Sequence, residues 1–485
     1  METKDVVIVG SGYSGVCIAI KLKEAGINNF IILEKEDELG GTWYINTYPG
    51  AACDVQSHLY SFSFEPYDWS RTFPQQKELD DYIKYCISKY KLEPHAKVNT
   101  TVTSAVFNEQ EGLWLVTTNN NEQYKTKFLV TGAGALNDPA YPEIKGMETF
   151  EGAQFHSSIW NHKFNFKDKN IAVIGSGASA IQFIPELEPQ VKNLFVFQRT
   201  PNWIMPKADR PFKDWERKLF LNYPIFRKIY REGLYWGKEL RVVAFVQSPF
   251  LLKIISRGVE KDVRKLVKDP ELQKAMIPNY TMGCKRILLA NNYYPAIIKE
   301  NVKVITDGIE RISKNSIFTK TGKEVSVDAI IYATGFKATK ILSTIHIVGN
   351  EGKVLNDVWK ENVESYLGTT VAGFPNLFIM VGPNTGVGHT SMIHIIESQA
   401  KYVMDGIKYI LKNNIKSIDV KKEEQKEFNE YVQSKMKGTV WQSGGCVSWY
   451  QDDKGRNPTL WPGFTVKFRR LTRKFDASKY KLVTK

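Results

Sequence analysis

The sequence predicts an α/β fold with two Rossmann-like dinucleotide-binding domains and a helical insertion. A strand, a glycine-rich turn and a helix follow one another near the N-terminus, in residues 5–34, and the same unit recurs at 170–199. After the second unit, residues 207–284 are rich in Lys, Arg, Leu, Phe and Tyr and poor in Gly, which indicates several helices. A further strand running into a glycine turn, VDAIIYATGF (327–336), follows this helical stretch.

The composition fits a large globular protein. The chain has 485 residues, of which 42% are apolar and 24% are charged, so it is too apolar to be disordered. No run of 18 apolar residues is present, which argues against a membrane-spanning helix, and the first residues do not resemble a secretory signal. The five cysteines are scattered, with no CxxC pair and no disulfide framework, which is typical of a reducing, cytoplasmic environment.

The net charge of +14 is concentrated in two segments. Residues 207–270 hold 16 Lys and Arg against 8 Asp and Glu, and residues 454–485 hold 10 against 1. Such segments can contact an anionic membrane surface, nucleic acid or anionic cofactors. No zinc-ligand spacing or nucleic-acid motif is present, so the sequence predicts neither a metal site nor a nucleic-acid partner.

The first unit predicts a dinucleotide site. The apolar run DVVIVG reads as a strand covered on both faces, and Gly10, Gly12 and Gly15 form the GxGxxG turn that follows it. These glycines allow a tight turn, close approach of a pyrophosphate and close packing of the helix on the strand. Glu34 ends the next strand, 19 residues after Gly15, where a carboxylate can accept both hydroxyls of a ribose. FAD or NAD is therefore expected here.

The second unit has the same spacing with the opposite charge. Gly175, Gly177 and Ala180 form its turn, and Arg199 stands 19 residues after Ala180. Arginine at this offset suits a ribose 2′-phosphate, and Thr200 adds a hydroxyl beside it. The second site is therefore expected to bind NADP.

Two dinucleotide sites in one chain predict electron transfer from a nicotinamide to a flavin. A flavin disulfide reductase shares this architecture but needs two neighbouring thiols. Cys53 lies near the first site without a CxxxxC partner, which disfavours that class.

Two longer motifs resemble the fingerprints of the Baeyer–Villiger monooxygenases. GGTWYINTYPGAACD (40–54) is similar to the first fingerprint. FEGAQFHSSIWN (150–161) is similar to the second through Phe150, Gly152, His156 and Trp160, and departs from it at Asn161. The first fingerprint is matched at every specified position, which are Gly40, Gly41, Trp43, Tyr48, Pro49, Gly50 and Asp54.

The resemblance implies an enzyme that uses FAD, NADPH and O₂. In this family a C4a-peroxyflavin attacks a ketone, and the product is an ester or a lactone; sulfides are also oxidised. By the same match, Gly41, Thr42, Trp43 and Asp54 are expected to contact or adjoin the FAD.

The motif MGCKRIL (282–288) resembles the family's Lys–Arg pair. The match implies that Arg286 is catalytic and stabilises negative charge, since anionic charge in a dry site needs a fixed partner. It also implies that Asp54 holds Arg286 and that Lys285 joins Arg199 at the 2′-phosphate.

The remaining matches concern His156, Trp160 and Trp449. The resemblance makes His156 a hinge between the two nucleotide domains, with Trp160 as its neighbour in the fingerprint. Trp449, in SWY (448–450), is a candidate to pack beside the nicotinamide.

The motifs divide the chain into four parts. The predicted parts are an FAD domain (1–150), an NADPH domain (151–206 and 285–336), a helical insertion (207–284) and the second part of the FAD domain (337–485).

Two functional alternatives stay open beside ketone oxidation. One is an N- or S-oxygenating flavin monooxygenase, which the presence of Asp54 and Trp160 disfavours. The other is an uncoupled NADPH oxidase or a nucleotide-binding sensor. The basic, apolar segment 224–257 could lie on a membrane surface or cover the substrate cavity, and the absence of a lipidation signal favours the second.

Overall fold

The computed structural model of the protein describes residues 1–484, the side chain of Pro249 apart. Its strands, numbered along the chain, are β1 (Glu2–Val9), β2 (Phe30–Leu33), β3 (Ala96–Lys97), β4 (Val102–Asn108), β5 (Leu113–Thr118), β6 (Gln123–Thr131), β7 (Ala153–His156), β8 (Asn170–Ile174), β9 (Asn193–Phe197), β10 (Ile204–Met205), β11 (Leu288–Leu289), β12 (Val302–Ile305), β13 (Ile309–Ile312), β14 (Ser316–Thr319), β15 (Glu324–Ser326), β16 (Ala329–Tyr332), β17 (His346–Val348), β18 (Leu377–Ile379), β19 (Ile415–Val420) and β20 (Tyr480–Thr484).

The helices are numbered in the same way. They are α1 (Tyr13–Glu24), α2 (Thr42–Ile45), α3 (Gln76–Lys89), α4 (Ala180–Leu187), α5 (Asp214–Asn222), α6 (Pro224–Glu239), α7 (Pro249–Leu266), α8 (Pro270–Met276), α9 (Tyr293–Ile297), α10 (Leu355–Glu361), α11 (Met392–Lys412), α12 (Lys422–Met436), α13 (Val440–Ser443) and α14 (Thr465–Leu471).

The largest sheet has eight strands and contains the first glycine-rich unit. Its order is β17-β4-β5-β6-β1-β2-β3, with β18 also paired to β6. β1 pairs in parallel with β2 and β6, and its last four residues are buried. Helices α1 and α11 cover the face of Val6 and Ile8, and an apolar cluster that includes Phe107 and Trp114 covers the face of Val7 and Val9. α1 and α11 pack against each other beside this sheet, so that both helices begin at the same sheet edge.

The second sheet has five parallel strands and contains the second unit. Its order is β12-β9-β8-β16-β7, and all of its strands come from residues 153–332. The first sheet takes its strands from residues 2–131 and 346–379, so the chain enters the second sheet from the first and later returns to it. The predicted α/β class with two Rossmann-like units is confirmed by this topology.

The segment predicted to be helical, 207–284, contains α5 to α8 and a π-helical turn at Val243–Gln247. In the described part of the chain, no single helix is long and apolar enough to cross a membrane. The stretches 224–247 and 250–266 are long and apolar enough only when they are taken together, and they are bent by 107° relative to each other.

The expectation of a chain without disulfides is wrong. Cys284 and Cys446 form a disulfide, with their Cα atoms 6.1 Å apart, although 162 positions separate them in the sequence. Neither cysteine has another cysteine near it in the sequence, so only the packing of the C-terminal segment beside residue 284 brings the two thiols together. Cys17, Cys53 and Cys86 are free and buried.

Candidate active site

A cavity of about 520 Å³ opens at the carboxyl edge of the first sheet. Its lining includes the turn 10–12, residues 41–43 and the loop 132–139. Two residues from distant parts of the chain, Arg286 and Trp449, also line it. Ligands in doubly wound α/β sheets bind at this edge, outside the carboxyl ends of the strands.

The first glycine turn is shaped for a close backbone approach. Gly10 has φ +92°, and a Cβ there would lie 2.9 Å from the carbonyl oxygen of Gly132. At Gly15 a Cβ would collide with the carbonyl oxygen of Gly10, so the helix packs on the strand only without a side chain. Gly12 is the N-cap of α1, and no side chain caps this helix end. The uncapped amides of α1 therefore face the cavity and favour a phosphate group.

Glu34 is placed at the same end of the cavity. Its Oε2 accepts hydrogen bonds from the Ser11 amide at 2.8 Å and from the Ser11 hydroxyl at 2.6 Å, and its Oε1 accepts one from the Glu36 amide at 3.0 Å. The side chain is nearly buried and still lines the cavity. These bonds fix the carboxylate beside the glycine turn, where it can accept further hydroxyl donors.

The second turn has the same construction. Gly175 has φ +106° and lies against the backbone of Ala333 at the end of β16, so a Cβ would collide there. A Cβ on Gly177 would meet nothing within 4 Å, which leaves room for a ligand. Ala180 is the first residue of α4 and is buried, and no side chain caps this helix either.

Two cations lie together beside the second turn. Arg199 is exposed beyond the end of β9 with Thr200 next to it, and Lys285 is half-buried. Burial lowers the pKa of the Lys285 ammonium, and the neighbouring charge of Arg199 lowers it further. Within residues 1–484 neither cation has a carboxylate partner, so this pair of like charges is suited to an anionic group.

Arg286, in the wall of the cavity, forms a two-pronged ion pair with Asp54. The Arg286 Nε donates to Asp54 Oδ2 and its Nη2 donates to Oδ1, both at 2.8 Å. The side chains remain 33% and 28% exposed. Burial alone raises the pKa of the Asp54 carboxyl, but the charge and hydrogen bonds of Arg286 outweigh it, and this pKa is lowered. Asp54 in turn raises the pKa of the guanidinium, so Arg286 carries a permanent, oriented charge.

Two further cations, Lys238 and Lys207, act on Asp54, and sequence reasoning missed both. The charges of Lys238 and Lys207 each lower the pKa of Asp54. Lys238 is 6% exposed, and burial lowers its own pKa to about 8, with the charges of Arg241 and Arg286 adding to the effect. With Arg286, three cations therefore surround one carboxylate, and the site has an excess of positive charge suited to stabilising an anion.

The end of α6 holds Lys238 in place through its neighbour Glu239. Glu239 is fully buried and accepts hydrogen bonds from the amide of Thr465, at 2.9 Å, and from its hydroxyl. His389 Nε2 lies 3.5 Å from the same carboxylate. This arrangement fixes the helical insertion to the start of α14 and to the loop before α11, and no short motif in the sequence signals it.

Aromatic side chains cover the cavity near Arg286. Trp43 donates its Nε1 hydrogen to the hydroxyl of Tyr60 at 3.3 Å, and both line the cavity. Trp449 is 42% exposed and packs against Tyr450, with the ring centres 4.4 Å apart and the ring planes tilted by 54°. The structure therefore brings Trp449, Trp43 and Arg286 to one cavity, as the motifs led us to expect.

His156 and Trp160 lie outside this cavity. The imidazole of His156 is buried between the rings of Tyr141 and Phe336, which belong to the two segments connecting the sheets. Its Nδ1 accepts a hydrogen bond from the Ser158 amide at 3.1 Å. Trp160 packs against Phe183 of α4, the helix that follows the second glycine turn.

Comparison with known proteins places this geometry among flavin- and nicotinamide-dependent enzymes. Residues 7–215 match the family model described as pyridine nucleotide-disulphide oxidoreductase. A Baeyer–Villiger monooxygenase of Pseudomonas aeruginosa is 47% identical over 481 residues, covering 99% of this chain and 91% of that protein.

Two solved structures share the whole fold. An oxidised steroid monooxygenase bound to NADP has a TM-score of 0.90 and 28% identity, and each chain is covered over its full length. OTEMO in complex with FAD and NADP has a TM-score of 0.89 and 28% identity, with 99% of each chain covered.

Proposed function

The chain belongs to the Baeyer–Villiger monooxygenase family, and from this membership we propose the roles of its individual residues. As a member it is an NADPH- and O₂-dependent flavin monooxygenase that converts ketones to esters or lactones. The reaction balances as ketone, O₂, NADPH and a proton giving ester, water and NADP⁺. The observation that carries our assignment is the Arg286–Asp54 pair, with Arg286 in the cavity wall and an excess of positive charge around it.

The residues present fit both cofactors. The uncapped end of α1, the Gly10 turn and Glu34 would hold the diphosphate and adenosine ribose of FAD, with Gly41, Thr42 and Trp43 along the cavity. When bound, FAD reduced by NADPH supplies the electrons that activate O₂. We further propose that residues 1–150 and 337–485 form the FAD domain, since the strands of the eight-stranded sheet all come from these two ranges.

The second glycine turn fits NADPH. Gly175 allows the tight turn against Ala333, the open space at Gly177 would admit the diphosphate, and Ala180 begins the helix behind the turn. Arg199, Thr200 and Lys285 would bind the 2′-phosphate, because two unpaired cations there are stabilised by a dianionic group. We assign this NADPH domain to residues 151–206 and 285–336, with 207–284 as the inserted helices.

Arg286 is the residue proposed to act on the reacting atoms. Its guanidinium is oriented by two hydrogen bonds, so it can stabilise negative charge that develops on oxygen without reorganising. Asp54 positions it, while Lys238 and Lys207 keep the local charge positive. Trp449 and Trp43 would limit the access of water to this part of the cavity.

Product analysis tests the proposal. Purified holoenzyme with NADPH and air is given linear, cyclic and aryl ketones together with an aryl methyl sulfide, and the products are identified by mass spectrometry. We expect esters or lactones. Sulfoxide as the sole product would contradict the proposed role of the Arg286–Asp54 pair, and NADPH consumption with peroxide alone would contradict productive oxygen transfer to ketones.

A further inference from the structure

Helix α6 buries polar side chains and exposes apolar ones, which is the reverse of the usual arrangement. Its side chains Arg231, Tyr235, Lys238 and Glu239 point into the protein and are buried. A surface helix of a globular protein normally buries apolar side chains and exposes polar ones. The inward polar groups have partners: Arg231 donates to the Ser61 carbonyl at 2.9 Å, and Tyr235 and Glu239 bond to Thr465.

The outward face of α6 is apolar. Ile225, Ile229, Trp236 and Leu240, which directly follows the helix, are between 49% and 66% exposed. At 3.6 residues per turn these positions fall within an arc of about 60°. They form an apolar stripe that the exposed Glu232 and Gly233 interrupt between Ile229 and Trp236, and no element covers it in the described structure.

Helix α7 follows α6 after the π-helical turn and begins with further exposed apolar residues. Its first two turns expose Phe250, Leu251, Ile254 and Ile255, each between 42% and 65%. The opposite face of the helix buries Leu252 and other apolar residues, so the start of α7 is apolar on both sides. Monomeric soluble proteins rarely expose contiguous apolar patches of this extent unless they bind a partner or a membrane.

Exposed cations outnumber exposed carboxylates in this part of the chain. Between residues 218 and 262 the exposed cations are Lys218, Lys228, Arg241, Lys253, Arg257 and Lys261, whereas the exposed carboxylates are Glu232 and Asp262. Large apolar side chains, including an aromatic one, flanked by Lys and Arg are the composition of helices that lie in the interface of an anionic bilayer.

We propose that the outward face of α6 and the start of α7 dock on an anionic phospholipid bilayer. The helices lie in the interface and do not span it, because Arg231 and Glu239 fix the other face of α6 to the protein body. At 1.5 Å per residue α6 and α7 are also shorter than the bilayer core of about 30 Å. Charge disfavours a second copy as the occupant, because a two-fold contact would place this cationic surface against itself.

Co-sedimentation with vesicles tests the proposal, using the FAD-loaded full chain. Vesicles of phosphatidylcholine with roughly one quarter phosphatidylglycerol are compared with vesicles of phosphatidylcholine alone, at low and high salt. We expect binding to the anionic vesicles that weakens at high salt. The triple variant Ile229→Gln, Trp236→Gln, Ile254→Gln should reduce the partition coefficient by about tenfold or more, because it removes the apolar anchor.

A matched control replaces three apolar residues of similar exposure elsewhere, namely Ile298→Gln, Leu411→Gln, Val358→Gln. It should bind vesicles like the unmodified protein. A charge variant, Lys228→Gln, Lys253→Gln, Arg257→Gln, should lose the preference for anionic vesicles, whereas Arg470→Gln, Arg473→Gln, Lys474→Gln in the other basic segment should keep it. Unchanged FAD content and thermal unfolding exclude misfolding as the cause of any loss.

Three results would overturn the proposal. The first is no sedimentation of the unmodified protein with anionic vesicles. The second is loss of binding in the two control variants but not in the α6–α7 variants, which would move the membrane contact to another surface. The third is concentration-dependent self-association that the Ile229, Trp236, Ile254 variant abolishes, which would make the stripe a contact between two copies of this chain.

Discussion

Asp54 and Arg286 are 232 positions apart in the sequence and are joined by two parallel hydrogen bonds of 2.8 Å each. A guanidinium held in this way by a carboxylate cannot rotate freely, so its remaining donors keep a fixed direction toward the cavity. The pair therefore combines a permanent charge with a defined orientation, which is what electrostatic stabilisation of a developing anion requires.

Replacing Arg286 by alanine should separate cofactor reduction from ketone oxidation. We expect reduction of the bound flavin by NADPH to continue, since Arg286 is proposed to act after it, and ester formation to fall by about 10²- to 10³-fold. Stopped-flow absorbance measures the first step and product mass spectrometry the second. The Arg286→Lys variant is the control for charge alone, because lysine cannot form the two-pronged pair. Full ester yield in Arg286→Ala would remove this residue from the mechanism.

Arg199→Ala should change the choice of nicotinamide. Its proposed partner is the 2′-phosphate, and loss of one charge-assisted hydrogen bond should raise the KM for NADPH by about tenfold to a hundredfold. The KM for NADH, which lacks this phosphate, should change little. Steady-state kinetics with both nucleotides checks the prediction. Lys285→Met should act in the same direction, and equal effects on NADPH and NADH in both variants would contradict a shared phosphate site.

Lys238 should make product formation depend on pH near 8. Burial lowers the pKa of its ammonium to about 8, so the group is charged below this pH and neutral above it, whereas an ordinary lysine stays charged to about pH 10. The rate of ester formation should therefore fall as the pH rises through about 8. Lys238→Met should be slower at pH 7 and lack this inflection.

The pH profile of flavin reduction by NADPH provides an internal control for Lys238, because that step is not proposed to depend on it. Lys238→Arg, which stays charged, should keep the rate at pH 7 and also lose the inflection. The same inflection in Lys238→Met and in the unmodified enzyme would assign it to another group.

The Cys284–Cys446 disulfide should stabilise the attachment of the C-terminal segment, which carries Trp449. It closes a loop of 162 residues, and Cys284→Ser should lower the free energy of unfolding by about 2–4 kcal/mol. Denaturant unfolding with and without reductant measures the effect. Reductant should destabilise the unmodified protein and leave Cys284→Ser unchanged. Alkylation of residues 284 and 446 in the unfolded protein without prior reduction would show that both thiols are free and that the bond does not form.

The two glycine-rich units could be predicted because the residues that define each unit are close together in the sequence. A strand, a tight glycine turn and a helix occupy about 30 consecutive residues, so Gly10, Gly175 and the residues 19 positions after each turn could be placed from spacing alone. The opposite charges of Glu34 and Arg199 then distinguished the two dinucleotide sites. The fingerprints at 40–54 and 150–161 indicated the family, and through it the role of Arg286.

Contacts between distant segments could not be predicted from spacing. Lys238 looks like one cation among many in a basic helix, and its neighbours Asp54 and Arg286 come from other parts of the chain. The disulfide partners are likewise far apart, and neither has a second cysteine close to it in the sequence. Such pairs form only where the packing of helices and loops brings their backbones together.

The sequence by itself determined the two glycine turns, the positions of Glu34 and Arg199 after them and the family, because each depends on residues that are close together in the chain. The tertiary structure alone decided which face of α6 is outward. An amphipathic pattern shows that a helix has two faces, but it does not say which one the protein covers. In α6 the buried partners of Arg231 and Glu239 hold the polar face inward, so the apolar stripe is left on the surface.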